Sequence, residues 1–132
     1  MEEMSLSDSI LTSVKKYLGP DEYYTVFDQD IVMNINAAFS TLDQVGLTFQ
    51  TSFMVVDEEQ TWDDYFNAIV TSDDIWLNEM NREIVRQYVY ISVRIVFDPP
   101  TSSFVLTSLE NRLKELEWRI NVLSCKKDVS IL

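Results

Sequence analysis

Apolar residues recur along most of the chain at separations of three and four, the spacing that gathers side chains on one face of an α-helix. Ile10, Leu11, Val14, Tyr17 and Leu18 form the first such stripe. Ser5 and Ser7 are candidate caps, Asp8 suits the positive helix end, and Gly19-Pro20 is a stop, so the pattern predicts a helix from about Ser7 to Leu18. Ile31, Ile35, Ala38, Phe39 and Leu42 predict a second helix that starts near Asp28 and ends at Gly46. Residues 47–60 lose the period: Leu47, Phe49, Phe53, Val55 and Val56 are mixed with Ser and Thr before Asp57-Glu58-Glu59. The expectation there is an irregular or short extended segment, exposed as a protruding loop or an edge.

Thr61 followed by Asp64 reads as a capping pair, and Trp62, Tyr65, Phe66, Ile69 and Val70 give a short helix an apolar side. The aromatics on it are expected to cover the bundle. After Ser72-Asp73-Asp74 a long helix is predicted from Ile75 to Phe97; its 23 residues would span about 34 Å. Ile84, Val85, Tyr88, Val89, Tyr90, Ile91, Val93, Ile95, Val96 and Phe97 cover far more than one stripe of it. Such a helix belongs at the centre, with neighbours on several sides. A buried strand is the competing reading of the β-branched run; the length, the acidic start and the Arg82 and Arg86 pair favour helix, and Asp98-Pro99-Pro100 ends it either way.

Thr101, Ser102 or Ser103 can cap the last helix, on which Leu106, Leu109, Leu113, Leu116, Ile120 and Leu123 alternate spacings of three and four. These six fall within about 100° of arc, the width of a face docked on a core. Glu110 with Lys114 and Glu115 with Arg119 stand at i,i+4, pairs that contribute only about 0.2–0.5 kcal/mol each. Trp118 lies about 180° from Leu109, with Phe104 and Val122 near the same side. Phe104, Trp118 and Val122 are therefore candidate subunit or partner contacts, the competing reading being core positions covered by a loop.

The expected fold is all-α: a small bundle of about four main helices with a long central helix, a C-terminal amphipathic helix and the irregular segment near 47–60. Length agrees, since 132 residues suit one domain over 1–132. Charge adds an asymmetry. Residues 1–80 carry sixteen acids and two bases (−14), residues 81–132 six acids and eight bases (+2), for the net −12. A free nucleic-acid backbone is repelled by such a chain, so adhesive DNA binding is not expected. No apolar run approaches the roughly 18 residues of a membrane span, and the start Met1-Glu2-Glu3 has the wrong charge for a signal peptide. No membrane association is expected.

Candidate chemistry is sparse. The sequence has no His, one cysteine (Cys125), no Gly-rich phosphate loop and no Ser-centred nucleophile motif. Asp63-Asp64 and Asp73-Asp74 raise a hard-metal site, but adjacent helical residues point apart and each pair stands near a predicted helix start, where acid suits the helix dipole. No enzyme, cofactor or metal is expected.

The run Tyr88-Val89-Tyr90-Ile91-Ser92-Val93-Arg94-Ile95-Val96-Phe97-Asp98-Pro99-Pro100-Thr101-Ser102-Ser103, followed by Glu115-Leu116-Glu117-Trp118-Arg119-Ile120-Asn121, resembles the head–tail connector family of tailed bacteriophages, also called adaptor or head-completion proteins. The stretch Ile10 to Leu18, the Phe27-Asp28 start and Ile35-Asn36-Ala37-Ala38 are similar to it as well, so the resemblance covers most of the chain. It implies a homo-oligomeric ring of about a dozen subunits, built from heterologous contacts. The ring would lie at the head–tail junction (neck) of the virion, after assembly in the host cytoplasm. One side would face the portal protein and the other a stopper or tail-completion protein, with genome DNA passing through the channel during packaging and ejection without sequence-specific binding. Phe97, Asp98, Pro99, Pro100, Thr101, Ser102 and Ser103 would form the structural turn and cap before the last helix, and that helix would contact the portal or a neighbouring subunit. Two other classes fit the composition: an acidic DNA mimic or protein-binding inhibitor, and a metal-dependent phosphate-cleaving enzyme.

Overall fold

In a computed structural model, which describes residues 9–19, 25–69 and 78–129 and side chains as far as Ser124, the chain is all-α. Among the described residues its helices are α1 (Ile10–Leu18), α2 (Asp28–Val45), α3 (Trp62–Ile69), α4 (Glu79–Phe97) and α5 (Ser103–Val129). The helical period thus predicted each of them. Ser5, Ser7, Asp73-Asp74 and Ile75 lie outside the described residues, and α1 is capped instead by Ser9, whose Oγ accepts the Thr12 N–H at 3.3 Å. Thr61 and Asp64 form the expected capping box at α3: each side chain accepts the other's backbone N–H at 3.1 Å.

Helix α4 is the centre, packed against α1, α2 and α5. Val85, Tyr88, Val89, Ile91 and Val93 are buried along it, and Ile84, Tyr90, Ile95 and Phe97 are half-buried against the same core. Its opposite sides take different neighbours. Tyr90 stacks on Tyr17 of α1 with ring centroids 5.3 Å apart, while the Tyr88 hydroxyl donates to Glu117 of α5 at 3.0 Å. Two residues along a helix are about 200° apart, so α1 and α5 lie on different sides of α4.

An aromatic cluster joins α3 to the rest. Phe39 stacks on Tyr65 at 4.1 Å, Trp62 on Phe66 at 6.0 Å, and Phe49 and Phe53 approach Tyr65 from the 47–60 segment. The Trp62 indole donates to Ser13 Oγ at 3.2 Å, which hands a hydrogen bond on to the Ser9 carbonyl. Arg82 and Arg86 lie over the Phe66 ring at 5.1 and 5.7 Å, so α4 closes the cluster with cation–π contacts. Trp62 and Tyr65 are buried, as expected for residues that cover a bundle.

Residues 47–60 form neither helix nor strand, yet they are tied down at several points. The Asn36 side chain makes two bonds to Val55, Nδ2 to its carbonyl at 2.9 Å and Oδ1 from its N–H at 3.0 Å, in the manner of a strand partner. Gln50 and Thr51 donate to the Ala68 carbonyl at 2.7 and 3.0 Å, closing the C-terminal end of α3. Leu47 and Val55 are buried, whereas Met54, Val56, Asp57, Glu58 and Glu59 are exposed. The segment is a strap with an exposed tip.

At the end of α2, the N–H groups of Gly46 and Leu47 both donate to the Leu42 carbonyl, at 3.1 and 2.9 Å. Gly46 has φ 142°, and a Cβ there would stand 2.1 Å from Ser124 Oγ and 2.6 Å from Ser124 Cβ. Helix α5 therefore presses directly on this glycine, and Asn121 Nδ2 donates to the Val45 carbonyl at 2.8 Å beside it. Gly46→Ala is expected to destabilise the fold by about 2 kcal/mol or more, through both the backbone conformation and the contact. In urea unfolding, Ser124→Gly in the same chain should recover part of that loss; a neutral Gly46→Ala would refute the close approach.

Tyr65 presents a second test. Its hydroxyl is buried and has no hydrogen-bond partner among the described residues. Tyr65→Phe removes an unsatisfied polar group and is expected to be neutral or stabilising by about 1 kcal/mol. Burial pushes the Tyr65 phenol well above its ordinary value, with nearby Asp43 adding to it, and burial raises Tyr88 and Tyr90 as well. In the unfolded chain these phenols ionise near about pH 10, so their contribution is constant below that pH and is lost above it. Unfolding free energy should fall between about pH 9.5 and 11, by up to about 1.4 kcal/mol per unit for a buried phenol, and less steeply in Tyr65→Phe.

Candidate functional site

The outer face of α5 carries some of the large apolar residues that the fold leaves exposed, Phe104 and Trp118 among them. On the inner side Leu116 and Ile120 are fully buried and Leu109 and Leu113 pack against the core. Burying a Leu or Ile side chain contributes about 1.5–3 kcal/mol, so this stripe holds the helix in place. Polar ties fix its rotation: Tyr88 to Glu117, Arg112 Nη2 to Gln87 Oε1 at 3.1 Å, and Asn121 to Val45. Burial and the Glu117 carboxylate together push the Tyr88 phenol up, so the bond persists with the phenol as donor at neutral pH.

With that face docked, Trp118 points outward at 66% exposure and Phe104 at 79%, while Val122 is half-buried. The three share an angular sector but not one patch. Phe104 and Trp118 are fourteen residues apart, about 21 Å along the axis, with polar Thr107, Asn111 and Glu115 between them. Trp118 and Val122, at i,i+4, are neighbours. One turn before Trp118 stands Lys114, exposed and in no ion pair among the described residues. Its expected partner Glu110 does not reach it; at an exposed site both charges are served as well by water. Glu115 instead takes two partners, Arg119 at 3.1 Å and Arg112 at 3.0 Å.

Phe104 belongs to the turn end of the bundle. Asp98 N–H closes α4 on the Arg94 carbonyl at 2.9 Å, Pro99 and Pro100 follow, and Ser102 begins α5: its hydroxyl accepts the Val105 N–H at 3.4 Å and its carbonyl the Leu106 N–H at 3.0 Å. Thr101 and Ser103 flank this cap and are exposed. Phe97 meets Phe27 edge-on at 5.6 Å, and Val26, Phe27 and Val96 are exposed around them. Val26 and Val96 were not singled out by sequence, and Phe27 entered only with Asp28 as a helix start, because Val26 and Phe27 precede the periodic part of α2 and Val96 is one of many apolar positions on α4.

Among the described residues no group of three or more His, Cys, Asp or Glu converges as a metal site would require. Asp64 is committed to the α3 cap and Asp63 lies 3.7 Å from Arg82; Asp73-Asp74 lies outside the described residues. Open grooves lie among the described residues. One, of about 350 Å³, is lined by Tyr17, Glu83, Gln87, Tyr90 and Ile91. Another, of about 270 Å³, lies between the strap tip and the α1–α2 edge, where Lys15 pairs with Asp28 at 2.9 Å. No described helix is long and apolar enough to cross a membrane.

What stands out is a set of exposed apolar side chains on a helix whose other side is already docked, the chemistry of association. No curated relative and no solved structure matches the chain with significance. The sequence model of one family, described as phage connector protein, matches residues 10–127, from the first residue of α1 almost to the end of α5. The strap, α1 to α4 and all but the last two residues of α5 lie within the match, and the chain belongs to the phage connector protein family.

Proposed function

We propose that the chain is the subunit of a ring connector in the virion neck, assembled in the host cytoplasm between the portal and a tail or stopper protein. The ring holds about a dozen copies joined by heterologous contacts. Genome DNA passes through its centre without sequence-specific binding. The observation that carries this reading is Trp118: an aromatic at 66% exposure beside Val122, on a helix already anchored by Leu116 and Ile120. Tryptophan is enriched among the residues that dominate association energy, and this one is rigidly presented. The net charge of −12 supports the same role, since like charge keeps a channel wall from adhering to passing DNA. Membership of the connector family supplies the setting.

Trp118→Asp places a charge where association would remove water. The variant should keep the helical content and the melting temperature of the parent, because Trp118 contributes little to the monomer core. It should weaken ring formation or portal capture by about 2–4 kcal/mol, the range for an interface hot spot. Native mass spectrometry and electron microscopy, with and without the cognate portal, read this out. Unchanged assembly removes Trp118 from the interface, and a chain that stays monomeric even on its portal overturns the ring.

A further inference from the structure

We infer that the exposed tip of the strap, Met54 to Glu59, docks in the assembled ring on the Lys114–Trp118–Val122 column of the next copy. This rests on the ring proposed above and names its mating surfaces. A closed ring of identical subunits needs two different, complementary patches facing away from each other. The fold provides that placement. On α2, Asn36 holds the strap through Val55, and Val45 takes Asn121 of α5. The tip also lines a groove with Leu11 of α1, and α1 and α5 meet α4 through Tyr90 and Tyr88, about 200° apart, so the tip and α5 lie on different sides of α4.

The two surfaces also match in chemistry. Met54 and Val56 are 63% and 52% exposed, beside three exposed carboxylates at Asp57, Glu58 and Glu59. The column offers an apolar pair, Trp118 and Val122, next to the unpaired ammonium of Lys114. Glu58 and Glu59 make no ion pair among the described residues, so neither side must break a bond to meet the other. The tip is held in shape by its own backbone bonds: Val56 and Asp57 N–H donate to Gln60 Oε1 at 2.8 and 2.9 Å, and Glu59 N–H to Asp57 Oδ1 at 2.8 Å. Docking therefore places apolar against apolar and acid against base in one step, with little ordering to do.

Charge reversal in the full chain tests the contact. Glu58→Lys/Glu59→Lys and Lys114→Glu should each lower ring yield on the order of tenfold in low salt, with monomer melting unchanged because all three residues are exposed and unpaired. The chain carrying all three changes should regain most of the parental yield. Rings unaffected by either reversal, or a triple variant that does not recover, would overturn the inference and leave the ring standing. Absence of any ring from the parent, alone or on its portal, would overturn both. As a readout free of mutation, carbodiimide treatment of rings mixed from isotopically light and heavy parent chains should join Glu58 or Glu59 to Lys114 between light and heavy copies. Cross-linked rings without that peptide would also overturn it.

Discussion

Helix α4 is apolar round most of its circumference, and the rest of the bundle is arranged by the need to keep that surface from water. One amphipathic neighbour covers an arc of roughly 100°, so a helix with buried residues as far apart as Tyr88, Val89 and Val93 requires several. Helices α1, α2 and α5 meet it directly, and Arg82 and Arg86 carry its N-terminal half over the α3 aromatics. Helix α5 follows from the same constraint. It packs along α4 and needs only one of its sides to do the covering.

That division accounts for the exposed face. Leu116 and Ile120 satisfy α4, while Trp118 and Val122, on the far side, contribute little to the monomer. The face can thus be specialised for contact without weakening the core. The strap has the same double character: Leu47 and Val55 are core residues, and the Asn36 amide holds the backbone between them and the tip. Both exposed surfaces are mounted on parts of one core, which would limit the entropy lost if they met.

Much of this was legible in sequence because helical packing leaves a local signature. Spacings of three and four located each of the described helices, the Thr61 and Asp64 pair located the start of α3, and Gly46 located the end of α2. The strap shows where that legibility stops. Its lack of period was visible, but Asn36 acting as a strand partner for Val55 was not, since a side-chain amide nineteen residues away has no fixed spacing to detect. Gly46 was readable as a stop, not as the point where Ser124 presses on the backbone, because that contact joins elements far apart in the chain. The outer residues of α5 were found by angle alone. Angle ignores rise, so Phe104 was grouped with Trp118 although about 21 Å of helix separates them.

Separating Phe104 from Trp118 changes what the outer face can be. A single apolar stripe running the length of α5 would favour an antiparallel pairing of two such helices, an isologous contact that closes at a dimer. Two separate sites, Phe104 near the turn and Trp118 with Val122 beside Lys114, do not present a continuous seam. The Trp118 site lies beside a cation in no ion pair among the described residues, whereas the strap tip carries exposed carboxylates, a difference that would suit a head-to-tail contact between copies. Phe104 stands instead at the end of the bundle where α4 turns into α5, and so would be open to a different neighbour.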